Sequence, residues 1–136
     1  MGWYIMALVD VLDYLPATHP GRVKLLRYLK TLAVGVKKSQ DKSGGWWLVM
    51  DEPYPGKKGN YIESSATAMF TYGLLKAIRL GYIDSAKYLS TARKAHALMT
   101  NKFALPTGES GTLNWEGTVE VGSLSSNGSY EVRTLQ

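Results

Sequence analysis

Asn60, Tyr61, Glu63, Ser64 and Ser65 crowd a polar loop that runs straight into an apolar stretch ending at Leu80. Polar residues gathered before the first turn of a buried helix, and not along its length, lie where backbone N–H groups are unpaired and the helix dipole is positive. Such a place suits an anionic ligand. Ser64 or Ser65 is the expected N-cap. Neither serine has a general base close by in sequence, which argues against a nucleophile and for a pair of hydroxyl and N–H donors. The plainer alternative is that the serines only cap the helix, while Asn60 and Glu63 only shape its approach.

Three other groupings invite a chemical reading. Trp46 and Trp47 are adjacent, so in an extended chain one points to the core and its neighbour to the opening; the sequence does not say which. Asp10 and Asp13 share one helical face with their Cβ atoms about 5–6 Å apart. That spacing could serve an acid/base pair, but pairing with nearby bases or caps is the reading preferred here. His19 and His96 fall in different helices with no carboxylate at ligand spacing, so no metal site is expected.

These side chains need elements to hold them. Trp3, Met6, Ala7, Leu8, Val11, Leu12 and Leu15 recur at helical spacing, and Pro16 ends that run. Thr18 or His19 is placed to cap a second helix with Pro20 in its first turn. Val23, Leu25, Leu26, Leu29, Leu32, Ala33 and Val36 would face its core side, and Arg22, Lys24, Arg27, Lys30, Lys37 and Lys38 its solvent side. Gly44-Gly45 breaks the pattern, and Trp46 to Met50 reads as a short extended segment. The third helix follows the polar loop and stops at Gly81, a left-handed cap. Asp84 caps a fourth, with Ala86, Leu89, Ala92, Ala95, His96 and Met99 inward. Leu113 to Val121 alternates like a strand, and Leu124 to Tyr130 is a glycine-punctuated loop.

An apolar helix, a short link, an amphipathic helix and an aromatic turn therefore occur twice. Tyr14-Leu15-Pro16 before the second helix corresponds to Gly81-Tyr82-Ile83 before the fourth. Repeated helical hairpins belong to toroids and solenoids, in which the apolar helices form the inner ring and the amphipathic ones the outer. Loops at the open end would carry the polar and aromatic residues.

Composition sets the outer limits. A chain of 136 residues, 45% hydrophobic and 20% charged, suits one globular domain. The net charge of +5 is spread along the helices, which argues against a nucleic-acid surface and remains compatible with an acidic sugar. There is no cysteine, hence no disulfide and no thiolate metal site. Asp10 and Asp13 interrupt the apolar start, no secretory cleavage pattern follows, and no stretch reaches membrane-spanning length. A cytoplasmic protein without a membrane partner is the expectation.

Four motifs in series carry a resemblance: Gly2-Trp3-Tyr4 through Pro16, Gln40-Asp41 with Gly45-Trp46-Trp47, Gly59-Asn60-Tyr61-Ile62-Glu63-Ser64-Ser65-Ala66 through Phe70, and Asn127-Gly128-Ser129-Tyr130-Glu131. They resemble the unsaturated rhamnogalacturonyl hydrolases, glycoside hydrolase family 105. The resemblance implies an all-α chain: residues 1–136 as a single domain forming the C-terminal part of an (α/α)6 toroid, with about four helices in two hairpins and a short β-like C-terminal segment. It implies removal of a 4,5-unsaturated galacturonic residue from rhamnogalacturonan oligosaccharides in pectin degradation. An aspartic acid protonates the vinyl ether carbon, water adds at the neighbouring carbon, and the resulting hemiketal collapses to release the sugar. This departs from the two-carboxylate scheme of most glycosidases, and it uses no metal or organic cofactor.

Two features of the family have no counterpart here. The arginine that precedes the family's glycine-tryptophan pair is absent, and nothing aligns with its catalytic aspartate, which lies upstream in the toroid. After Glu131 the chain reads Val132-Arg133-Thr134 where the family continues with aromatics. The expectation is thus that this chain holds no catalytic residue and grips an unsaturated uronic-acid oligosaccharide. Trp3 matches the family tryptophan that stacks on sugar. With it, Trp46, Asn60, Tyr61, Glu63, Ser64 and Ser65 are the expected substrate contacts, the serines donating to a uronate carboxylate. Self-association, or pairing with an upstream half, would cover the flanks of the inner helices. The second reading is an inactive helical module that binds acidic oligosaccharide or a protein.

Overall fold

Ile5, Leu8, Val9 and Leu12 form the buried face of the first helix, whereas Trp3, Ala7 and Val11, expected on its core side, are exposed. The computed structural model describes residues 1–119, with four α-helices and one small ribbon among them. Helix α1 spans Gly2–Tyr14, α2 Arg22–Lys38, α3 Ser64–Arg79 and α4 Ser85–Leu98. A π-helical turn, Met99–Phe103, prolongs α4 and leads into strand β1, Ala104–Pro106. It pairs antiparallel with β2, Leu113–Trp115, with Ala104 opposite Trp115.

Helices α1 and α3 pack against each other and run in the same direction. Gly2 abuts the Met69 side chain, Gly73 abuts Ile5, and Asp10 and Asp13 reach Lys76. The close approach depends on Gly73, where a Cβ would come within 2.7 Å of the Ile5 side chain. Each of these helices returns through an antiparallel partner. Arg22 at the start of α2 donates from one guanidinium nitrogen to the carbonyls of Leu12 and Leu15 at the end of α1. In the second hairpin Gly45 lies between Leu98 at the end of α4 and Thr67 near the start of α3. Two parallel inner helices thus carry two antiparallel outer ones.

The turn at the end of α3 forms as its sequence predicts. Gly81 adopts φ +70°. Its N–H bonds Ile78 O at 3.0 Å while that of Tyr82 bonds Ala77 O at 2.8 Å, the paired bonds of a Schellman motif. Asp84 caps α4 by accepting the Ala86 N–H at 2.9 Å.

Several expectations are corrected. Helix α2 begins at Arg22, after the predicted cap, because His19 turns its Nδ1 to the Gly21 N–H and its carbonyl to the Arg22 N–H. Val23 is exposed, since the core side of α2 is formed by Leu29, Leu32, Ala33 and Val36. Arg22 is no solvent-facing base; its second nitrogen bonds the Tyr82 hydroxyl and ties both hairpin turns together. In α4 the buried stripe is Tyr88, Thr91, Ala92, Ala95 and Leu98, leaving Ala86 and His96 exposed. The expected strand contains only Leu113–Trp115 as β-structure up to Val119. Its remainder, the Leu124 to Tyr130 loop, the Asn127 to Glu131 motif and the tail from Val132 lie outside the described residues.

Candidate functional site

Because α1 and α3 are parallel, their N-termini share one end of the molecule, and the α2 C-terminus and the loop that follows it lie at that end too. The polar stretch singled out from sequence sits here. Its geometry differs from the expectation in one central respect: the cap of α3 is Glu63, not Ser64 or Ser65. Both carboxylate oxygens are used. Oε1 accepts the N–H groups of Ser65 at 3.1 Å and Val119 at 3.2 Å, and Oε2 accepts that of Ala66 at 2.5 Å. The Ser65 hydroxyl donates to the same carboxylate at 2.9–3.0 Å. A carboxylate has two acceptor oxygens where serine has one, and only a longer side chain can fold back to reach N2 and N3 together with Val119.

An anion therefore already fills the helix N-terminus, and it belongs to the chain. Glu63 is 3% exposed and offers no free N–H cluster to a uronate carboxylate. Ser64 is completely buried: its hydroxyl accepts from Trp115 Nε1 at 2.9 Å, shares a 2.7 Å bond with Thr118 Oγ1, and its N–H goes to Gly117 O. Both serines are thus spent on the fold, contrary to the expected role as ligand donors. Asn60 is spent likewise, its side chain bridging Val49 N and O and Tyr54 O at 2.9–3.1 Å. That bond set is the plainer turn-shaping alternative. Tyr61 is half-buried, and burial first and the Glu63 charge second push its phenol above the ordinary value.

The tryptophans separate cleanly. Trp46 has no exposed surface; its ring meets Phe70 edge-on at 5.1 Å and its Nε1 donates to Val36 O at 2.7 Å. A ring with no open face cannot stack on a sugar, so Trp46 leaves the list of contacts and becomes a core anchor. Trp3, by contrast, is 74% exposed at the first turn of α1. Trp47 lies between these extremes, bridged to Ile62 and held by Asp41 Oδ1 at 3.1 Å. Trp115 is a further indole at this end that the sequence did not single out. It is 46% exposed beside Ser64 and packs on Phe103, and only its place in a Gly- and Thr-rich segment hinted at an indole kept for the surface.

Asp10 and Asp13 pair with a base, the reading preferred over an acid/base pair. Lys76 Nζ lies 2.8 Å from Asp10 and 2.5 Å from Asp13, and the Tyr72 hydroxyl donates to Asp10 at 2.7 Å. The hydrogen bond from Lys76 first, then that from Tyr72, holds the Asp10 carboxyl below the usual range. The hydrogen bond to Asp10 first, then that to Asp13, raises the Lys76 ammonium. A carboxylate so held is a poor proton donor near neutrality. Among the described residues no group of three carboxylates or histidines could hold a metal ion, and no helix is long and apolar enough to cross a membrane.

Parallel inner helices, antiparallel outer helices and polar loops at one end are the arrangement of two hairpins of an α/α toroid. The chain superposes with a TM-score of 0.87, at 35% identity, on a family 105 glycoside hydrolase of C. acetobutylicum, covering 98% of this chain and 37% of that one. All of residues 1–136 match Glycosyl Hydrolase Family 88, and the chain belongs to that family. Protein Atu3128 of Agrobacterium fabrum is 37% identical over 134 residues, which is 96% of this chain and 56% of the relative. The unsaturated 3S-rhamnoglycuronyl hydrolase of Alteromonas sp. strain LOR is 24% identical over 114 residues, 84% of this chain and 26% of that protein. The chain thus spans about half the length of Protein Atu3128 and about a third of the family 105 toroid.

Proposed function

We propose that this chain supplies the carbohydrate-gripping end of a hydrolase that removes a 4,5-unsaturated galacturonic residue from rhamnogalacturonan oligosaccharides by vinyl-ether hydration. The observation that carries the reading is Trp3: a large indole left open at the first turn of an inner helix, at the end of the molecule where the polar loops gather. A flat indole face suits the apolar face of a pyranose ring. The name of the Alteromonas relative supports an unsaturated uronic substrate. Trp115, also half open at this end, is a second platform.

Proton donation is assigned to a carboxylic acid outside this chain. Asp10 is held ionised by Lys76, and the Glu63 oxygens are occupied by N–H donors, which leaves neither placed to protonate a vinyl ether carbon. The experiment is complementation: the chain is mixed with a polypeptide carrying the upstream half of a family toroid, and loss of absorbance by an unsaturated rhamnogalacturonan disaccharide is followed. Turnover only in the mixture is expected. Turnover by the purified chain alone would place the acid within it and overturn the assignment, whereas binding of the disaccharide without turnover in any mixture would favour the inactive oligosaccharide-binding module.

A further inference from the structure

A cleft of about 460 Å³ opens beside the α2 C-terminus, between it and the loops that lead into α3. One wall is apolar and comes from Trp47, Met50 and Pro55. The lining also includes four charged residues, Lys38, Lys42, Asp41 and Glu52. Its size falls within the range of small-ligand sites, about 300–1,000 Å³.

Three of the lining side chains, Trp47, Asp41 and Gln40, are held by hydrogen bonds. Trp47 is fixed twice, by its bridge to Ile62 and by the Nε1 bond to Asp41. Asp41 is fixed in turn by the Ser43 N–H at 2.7 Å, and its own N–H bonds Gly45 O. Gln40, also in the lining, is locked through Nε2 to Gly44 O at 2.7 Å and Thr91 O at 2.9 Å, which ties this loop to α4. Asn60 holds the opposite strand of the loop at Val49. Burial opposes ionisation of Asp41, but the bonds from Ser43 and Trp47 outweigh it and keep the carboxyl below its usual range. Among the described residues, Lys38, Lys42 and Glu52 form no ion pair.

We propose that this cleft is a second carbohydrate subsite, taking a neutral pyranose residue whose apolar face lies on the Trp47 indole. Two lysines and two carboxylates cancel in charge, so the lining matches hydroxyl groups, which both donate and accept, better than it matches a carboxylate. Preformed walls reduce the ordering cost of a weak ligand. The subsite would hold a neutral sugar of the oligosaccharide or polymer whose uronic end is gripped at Trp3, and to that extent it rests on the function proposed above.

The test is two-dimensional NMR of the full chain, with the four indole N–H signals assigned by single Trp→Phe variants. The probes are methyl α-L-rhamnoside and digalacturonate. Expected is a saturable shift of the Trp47 signal with the rhamnoside, at a Kd of about 1 mM or below, typical of a single-sugar contact of roughly −4 kcal/mol. The exposed variants Glu52→Ala and Lys42→Ala should each weaken it at least threefold without altering the amide spectrum elsewhere, while Trp3→Ala leaves it unchanged. Tighter binding of digalacturonate than of rhamnoside at Trp47 would overturn the neutral-sugar assignment. Shifts confined to Trp3 or Trp115 would overturn the cleft while leaving the proposed function standing. No shift at any indole with either probe would sink both.

Discussion

The Glu63 carboxylate accepts the Ala66 backbone N–H at 2.5 Å, so the negative charge seated at the N-terminus of α3 is the chain's own. This one bond turns an apparent anion site into a joint. With the other Glu63 bonds it welds the loop after Trp46, whose carbonyl accepts the Glu63 N–H, to α3 and to Val119.

Glu63→Ala should therefore destabilise the fold by about 1–3 kcal/mol, the range for losing a cap and leaving several N–H groups unpaired. Glu63→Gln, which retains one acceptor oxygen, should lose less. Urea unfolding followed by far-ultraviolet circular dichroism checks both. A stability unchanged in Glu63→Ala would mean that the cap is replaced by solvent at no cost.

Trp46 and Trp3 should respond in opposite ways to truncation. Trp46→Ala empties a fully buried site and should cost about 3–5 kcal/mol. Trp3→Ala removes an exposed side chain and should change stability by no more than about 0.5 kcal/mol, while weakening uronate oligosaccharide binding severalfold. Thermal unfolding and calorimetric titration of the two variants separate a core anchor from a ligand contact. Equal loss of stability in both would contradict this division.

The Lys76 bridge predicts a particular pH dependence. The folded Asp10 carboxyl lies below its ordinary 3.8, so its contribution is present above that pH and is lost as pH falls through the lowered value. The folded Lys76 ammonium lies above its ordinary 10.5, so its contribution is complete below that pH and is lost only as pH rises through the higher folded value. Between these limits the bridge should contribute a constant amount. Lys76→Met should remove the part of the acid-limb loss below about pH 4 that belongs to Asp10, measured as urea midpoints from pH 2.5 to 7. An identical acid limb in the variant would show that Asp10 takes no stability from the bridge.

Trp3, Ala7, Val11 and Tyr14 are exposed along one face of α1, and Val23 is exposed at the start of α2. A contiguous apolar stripe of this kind favours association. Sedimentation of the chain should show concentration-dependent dimers or larger species, and Val11→Lys with Tyr14→Lys should weaken association at least tenfold. A monomer across the micromolar range in the unsubstituted chain would contradict the expectation.

Much of the fold was legible because it is local. The helical recurrence that includes Leu8 and Leu12, the αL glycine at Gly81 and the acidic cap at Asp84 each act within a turn or two, so the four helices and their hairpin order could be read directly, although the face that α1 buries, with Ile5 and Val9 in place of Trp3, Ala7 and Val11, could not. The π turn after α4 could not, and the β1 strand gained its partner only because Thr107 to Thr112 turns the chain back onto it.

The site was legible in place but not in role. Residue types alone marked the loop from Asn60 to Ser65 and the pair Trp46-Trp47, since polar groups before a buried helix and adjacent aromatics are unusual wherever they fall. Which group fills the helix N-terminus and which indole keeps an open face were settled by tertiary structure alone. Glu63 can cap only if its chain folds back over α3 and Val119 is near; Trp46 is buried only because Phe70 and Val36, from two different helices, converge on it. Those decisions depend on partners distant in sequence, and a linear pattern carries no record of distance across the core.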